Sequence, residues 1–232
     1  MSSEDYLIAV LCLAYSLQVV KSKYPLIVLT TDNLENDDKI IDILCSVPNI
    51  IHVTVSSLEY CDKIRQDWKG HSVLNTASKI QIFLLKDWYK LVYIDADTLV
   101  INNIDNLFED YLDGSMIKYP DQRYGFSGLF IIEPWRHEED SFYKFLLQTQ
   151  ECFDGDLIGK LWFFIRTSKS HQIPPSYLWD FRTSYHIPKD TKVIHYVGGY
   201  KPWLDDLGCY TSCEAMRVYK IVLDKVKELY HV

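Results

Sequence analysis

The sequence predicts one α/β domain spanning residues 1–232, with a mostly parallel central sheet flanked by helices. Three observations predict it. Helix-period segments and strand-like segments alternate from the N-terminus, the rhythm of parallel strands joined by crossover helices. The strand-like runs are short, β-branched and continuously apolar, as in strands buried on both faces. The 232 residues, 48% apolar and 24% charged, suffice for one full core and little more.

Each element follows from its own pattern. Residues 6–20 are apolar at 7, 10, 11, 14 and 17, a helical spacing, and further apolar residues between them predict burial on several sides. Ser3 and Asp5 are candidate caps. Residues 25–31 form a β-branched run that Asp32-Asn33 turns. A second helix over 37–45 and a strand over 50–55 continue the alternation. Residues 59–75 are polar and without period, so they predict a loop long enough to act as a lid or substrate loop. A helix is expected over 76–87, with Lys79 near its start. An apolar strand over 91–100 comes next, then a short helix over 106–111 and a strand at 116–119. Residues 126–132 read as a strand whose Gly128 admits close approach to the backbone. Helices are expected over 140–150 and 157–164, and irregular chain over 167–188. A late strand over 192–196 runs into the glycine loop 197–203. The last helix spans 214–231, apolar at 215, 218, 219, 222, 226 and 229.

Composition narrows the function. A net charge of −8 argues against nucleic acid as a partner, because a phosphate backbone requires a basic face. The longest apolar stretch, 7–17, is too short and too mixed to span a bilayer. Six cysteines are scattered, none at zinc spacing, and no signal peptide precedes them. Reduced thiols in a cytoplasmic setting are therefore expected. The 17 tyrosines leave a homodimer possible, although a filled core would use them equally well.

The chemistry points to Leu91-Val-Tyr-Ile-Asp95-Ala96-Asp97-Thr-Leu-Val100. Two acids interrupt an apolar run, where an unpaired carboxylate costs several kcal/mol. In extended chain, residues two apart face one side, roughly 6–7 Å apart. Both carboxylates can then converge on a divalent ion at a strand end, where open α/β sheets bind ligands. On pattern alone, Asp-x-Asp is more often an acidic turn. His195 is the candidate third ligand, since Mn²⁺ accepts both carboxylate and imidazole. A lone histidine is more often structural. The loop after it strengthens the case, because Gly198 and Gly199 allow close approach to an anion and Lys201 adds charge.

Together these motifs resemble one family. Tyr-Ile-Asp-Ala-Asp-Thr-Leu-Val (93–100), continued by Ile-Asn-Asn-Ile-Asp-Asn-Leu-Phe (101–108), is similar to the metal-binding strand of glycogenin-like glycosyltransferases, glycosyltransferase family 8. His195-Tyr-Val-Gly198-Gly-Tyr-Lys201-Pro-Trp203 is similar to the family's His-x-x-Gly-x-x-Lys-Pro-Trp. The resemblance runs from about Ser2 to Trp203 and includes Lys79 and Ser127-Gly128. It implies a GT-A (Rossmann-like) fold, Mn²⁺, a UDP-sugar donor, a carbohydrate or protein acceptor, and retention at the anomeric carbon. By position, Asp95, Asp97 and His195 would hold the ion. Tyr6 would stack on uracil, and Gly198 and Lys201 would cradle the diphosphate. Ala96, Ser127 and Gly128 would line the nucleotide-sugar site. Lys79 and Asp156 would be the catalytic pair, Lys79 reaching the phosphates and Asp156 the donor sugar and acceptor.

Three features depart from the pattern. The family begins with a strand ahead of the Tyr6 helix, and only Met1 to Asp5 precede Tyr6, so that strand is expected to be missing or reduced. The family's Asn-Ser-Gly is Phe126-Ser127-Gly128, and its Asp-Gln is Asp156-Leu157. Both changes fall on sugar and acceptor recognition. The alternative to an active transferase is a catalytically weak sugar-nucleotide-binding relative. A nucleotidyltransferase would carry a basic glycine-rich loop near its start, and this sequence has none there. Self-glucosylation at Tyr177 or Tyr185 is poorly supported by the local match.

Overall fold

The computed structural model describes residues 4–34, 37–55, 81–83, 85–117, 126–134, 172–199, 201–204 and 213–231. The expected loop over 59–75 and helices over 140–150 and 157–164 lie outside these residues. The chain gathers into two compact units. One comprises Met1–Thr54, Asp95–Asp105 and Ser176–Val232; the other comprises Val55–Ile94 and Asn106–Pro175. Among the described residues, no helix is long and apolar enough to cross a membrane.

The first unit is built around helix α1 (Leu7–Val19), which follows a 3-10 turn at Glu4–Tyr6. Tyr6 sits at its N-cap position and makes no side-chain capping bond. The expected Asp5 cap is thus not used, and Ser3 lies outside the described residues. The unbroken apolar run of α1 is explained by packing on two sides. Ala9, Leu11, Cys12 and Ala14 join one buried cluster, and Val10 joins another. The second cluster contains Val28 of strand β1 (Leu26–Thr31) and Ile40 and Leu44 of helix α2 (Asp38–Ser46). Asp37 caps α2 by accepting the Ile40 amide at 3.1 Å. Strand β2 (Ile50–Val55) pairs with β1.

The expected strand over 91–100 is two strands. Strand β3 (Leu91–Ile94) belongs to the second unit, and strand β4 (Thr98–Val100) belongs to the first. Between them the Thr98 hydroxyl donates to the Asp95 carbonyl at 2.7 Å, closing a turn around Asp95-Ala96-Asp97. The parallel pairing expected for this segment is also corrected. β3 runs antiparallel to strand β6 (Phe126–Ile132), with Leu91 opposite Ile132. Continuous apolar sequence reports burial on both faces, not strand direction.

In the second unit β6 also pairs antiparallel with strand β5 (Met116–Ile117), which pairs in parallel with strand β7 (Gln172–Ile173). Leu129 to Ile132 are fully buried, and Phe130 stacks on Tyr93 at 4.6 Å between ring centroids. The short helix α3 (Leu107–Asp110) ends near Lys90, whose ammonium donates to the Phe108 and Tyr111 carbonyls at 2.7 Å each. Of the helix expected over 76–87, residues 81–83 are described as a 3-10 turn.

In the first unit β4 pairs antiparallel with strand β9 (Val193–His195), and β9 pairs in parallel with strand β8 (Trp179–Asp180). β7, β8 and the 3-10 turns at Pro175–Tyr177 and Phe181–Thr183 occupy a segment expected to be irregular. Two-residue strands carry no readable period. On the free side of β4, the Val100 amide donates to Ser16 Oγ of α1 at 3.1 Å, and Ser16 donates to the Leu13 carbonyl at 2.7 Å. Helix α4 (Glu214–Tyr230) closes this unit, burying Ala215, Met216, Tyr219, Leu223 and Val226. The expected stripe is rotated, so that Leu229 is exposed while Met216 and Leu223 are buried.

Leu99 is fully buried at the centre of this core. Leu99→Ala is expected to lower stability by about 3 kcal/mol, read from urea unfolding. Asp105 supplies a pH-dependent contribution. It accepts from Ser22 Oγ at 2.7 Å, the Lys23 amide at 3.0 Å and Asn103 at 3.2 Å. Burial alone would raise its carboxyl, but these donors outweigh burial and hold its pKa below the ordinary value. Its contribution is therefore present above the unfolded pKa of about 3.9 and is lost as pH falls through the lower folded pKa. Asp105→Asn is expected to be less stable than the native chain at neutral pH. Urea titrations at a series of pH values should show that difference shrinking below about pH 3.9.

Candidate functional site

The turn at Asp95-Ala96-Asp97 and the end of β9 meet because of register. Thr98 lies opposite His195, and the ladder gains another rung where the Tyr196 amide donates to the Asp97 carbonyl at 2.8 Å. The two acids and the histidine, far apart in sequence, thereby share one end of a sheet. His195 Nε2 lies 3.1 Å from Asp97 Oδ1 and 3.7 Å from Asp95 Oδ2. One ligand atom from each residue falls within 4.8 Å of the others. Ala96 packs against the Val10, Val28 and Leu44 cluster, anchoring the turn between the acids.

Two oxygens and one imidazole nitrogen at this separation form a donor set for a divalent ion, and the set leaves coordination positions for other ligands. The residues fit such an ion in type as well as spacing, since hard carboxylates and a borderline imidazole suit Mn²⁺ better than they suit a thiophilic metal.

Lys201 completes the group. Its ammonium contacts Asp97 Oδ2 and donates to the Tyr196 carbonyl at 2.8 Å. Asp97 therefore stands between His195 and Lys201. Burial opposes ionisation of Asp97, but those two neighbours outweigh it and hold the carboxyl well below the usual carboxylate range. For His195, burial favours the neutral ring, yet Asp97 and Asp95 prevail and raise its pKa above the ordinary imidazole value.

The loop after β9 brings in aromatic surface. Trp203 is buried, with its ring 5.3 Å from that of Tyr6 in an edge-to-face arrangement. The Lys201 ammonium lies 5.6 Å from the Trp203 ring and 6.0 Å from the Tyr6 ring. Gly198 is exposed and has φ +97°, a conformation that strains any residue with a Cβ.

The structure thus brings together Asp95, Ala96, Asp97, His195 and Lys201, with Tyr6 near Lys201 and Gly198 on the loop that carries Lys201. Ser127 and Gly128 lie on β6 in the second unit. Lys79 and Asp156 lie outside the described residues. The sequence reading missed the Thr98 turn and the Tyr196 carbonyl, contacts that motif residue types do not signal. It also missed Asp180, which pairs with His195 across β8 and β9. Only an acid and a base two residues apart in proline-flanked chain marked that position.

No family model matches the chain. Glycogenin-2 of Homo sapiens is 32% identical over 145 residues, covering 55% of this chain and 28% of that protein. Glycogenin-1 of Caenorhabditis elegans is 29% identical over 150 residues, covering 59% and 34%. The chain thus spans 28% and 34% of the length of these two relatives. Galactinol synthase 2 of Arabidopsis thaliana is 26% identical over 247 residues, covering 86% of the chain and 70% of the relative. Among solved structures, galactosyltransferase LgtC in complex with donor and acceptor sugar analogs superposes with a TM-score of 0.67 at 18% identity. That match covers 97% of this chain and 94% of LgtC. The likeness shows the fold, GT-A.

The Lys201–Asp97 pair is little exposed, at 8% and 13% of the two side chains. Lys201→Met removes the cation and leaves the carboxylate in place. A loss of about 3 kcal/mol is expected in urea unfolding without metal. Saturating MnCl₂ should shrink that loss, because a bound cation would replace the missing charge.

Proposed function

We propose that the chain, which has the GT-A fold, is a glycogenin-like member of glycosyltransferase family 8 and a Mn²⁺-dependent retaining glycosyltransferase. It moves a hexose from a UDP-sugar to a hydroxyl on a carbohydrate or protein acceptor. The observation that carries this reading is the convergence of Asp95, Asp97 and His195 beside Lys201.

Asp95, Asp97 and His195 would hold the ion. When bound, Mn²⁺ supplies positive charge to the leaving diphosphate. The chain's own residues do the remaining work. Lys201 has three donors, two of them engaged by Asp97 and the Tyr196 carbonyl, and the third serves the phosphates. Its position is set before any donor arrives, so charge stabilisation requires little rearrangement. Gly198 lets the backbone approach the diphosphate, and Tyr6 stacks on the base. Ala96, Ser127 and Gly128 contribute to the nucleotide-sugar site. Lys79 reaches the phosphates, and Asp156 orients the donor sugar and acceptor.

With the leaving group stabilised in this way, the acceptor hydroxyl attacks from the same face and passes its proton to the departing phosphate. The configuration is then retained without a covalent intermediate. A cytoplasmic setting suits the free thiols of Cys12, Cys45 and Cys213.

The test is a screen of UDP-sugars for transfer and hydrolysis, with and without Mn²⁺, on the native chain and Asp97→Asn. Metal-dependent cleavage is expected in the native chain, falling roughly a thousandfold in the variant. Undiminished cleavage by Asp97→Asn overturns the site. Tight binding of UDP with no sugar cleaved from any donor replaces the transferase with a sugar-nucleotide-binding relative.

A further inference from the structure

β8 sets a second cation beside the glycine loop. Its last residue, Asp180, pairs in register with His195 and then caps the turn Phe181–Thr183 by accepting the Arg182 amide at 2.9 Å. The same carboxylate grips the Arg182 side chain. Nε donates to Oδ1 at 3.0 Å and Nη2 to Oδ2 at 2.7 Å, a two-point fork that fixes the guanidinium plane. With those two nitrogens on Asp180, Nη1 lies at the glycine loop. It is 3.4 Å from where a Cβ on Gly198 would sit. The absence of a side chain at Gly198 therefore admits the left-handed backbone and leaves Arg182 against that loop.

The Arg182 side chain is 44% exposed. An ion pair of that exposure adds little stability. What the pair accomplishes is placement, since a guanidinium held in a fork loses little freedom on meeting a phosphate. Lys201, the cation within the loop, is committed to Asp97 as Arg182 is to Asp180.

Resting on the reading of Gly198 as part of the diphosphate cradle, we propose that Arg182 is a donor-binding residue. Its guanidinium hydrogen-bonds phosphate oxygens of the nucleoside diphosphate at Gly198, and Asp180 acts as the positioning residue that aims it. Arg182 thereby supplies a more exposed guanidinium at the phosphate, alongside the third donor of the buried Lys201.

The test is calorimetric binding of UDP and of uridine, with Mn²⁺ present, to the native chain, Arg182→Ala and Arg182→Lys. Thermal melts check that each variant is folded. Arg182→Ala is expected to weaken UDP roughly tenfold and leave uridine unchanged. Arg182→Lys, keeping the charge without the fork, should fall between the two. Native UDP affinity in Arg182→Ala overturns the proposal. So does an equal loss for UDP and uridine, which reports a disturbed fold instead of a lost phosphate contact. A native chain that binds no UDP overturns both this proposal and the transferase reading, whereas a native chain that binds UDP isolates the question to Arg182.

Discussion

The constraint on which the first unit turns is the burial of one carboxylate between an imidazole and an ammonium. Asp97 is little exposed, with an imidazole on one oxygen and an ammonium on the other. A buried charge of this kind is tolerated only when fully partnered. His195 and Lys201 come from a segment about a hundred residues downstream, so the chain must bring strand and loop together with the carboxylate. The antiparallel ladder of β4 and β9 does this, and the Tyr196 backbone serves both partners. Its amide binds the Asp97 carbonyl, and its carbonyl holds Lys201. One residue's main chain therefore sets the spacing between acid and base.

The core beneath reinforces that arrangement. Tyr196 buries its ring against Phe181 and Tyr219, and its hydroxyl donates to the Ala215 carbonyl at 2.7 Å. The rung that carries Lys201 is thus anchored to α4. Trp203 contacts Tyr219 on one side and Tyr6 on the other. The start of α1, the end of the glycine loop and α4 share one aromatic cluster. A polar site is held in place by apolar packing immediately behind it.

Much of this was legible in the sequence, for definable reasons. The apolar residues that fill α1 between its periodic positions foretold burial on several sides, and two clusters now account for it. Asp95, Asp97 and His195 were recognisable because acids in an apolar run and a histidine before paired glycines are chemically conspicuous. The break between β3 and β4 was not legible, since it depends on a threonine hydroxyl reaching back to a carbonyl. The antiparallel direction of β3 was hidden as well, because both strand directions bury similar side chains. β8 was invisible at two residues, and with it the fork that holds Arg182. The α4 stripe was rotated because period alone cannot choose between adjacent faces of a helix that carries apolar residues on both.

The hydroxyl of Ser16 has a consequence for how this molecule coexists with its own copies. β4 is an outer strand of its three-stranded sheet, and such a strand offers unpaired amides to any chain that drifts past. Here the Val100 amide is taken by a side chain from the helix lying alongside. In the strand that begins just after the acids, that amide is thereby withheld from intermolecular strand addition, the opening step of aggregation, by a single oxygen atom.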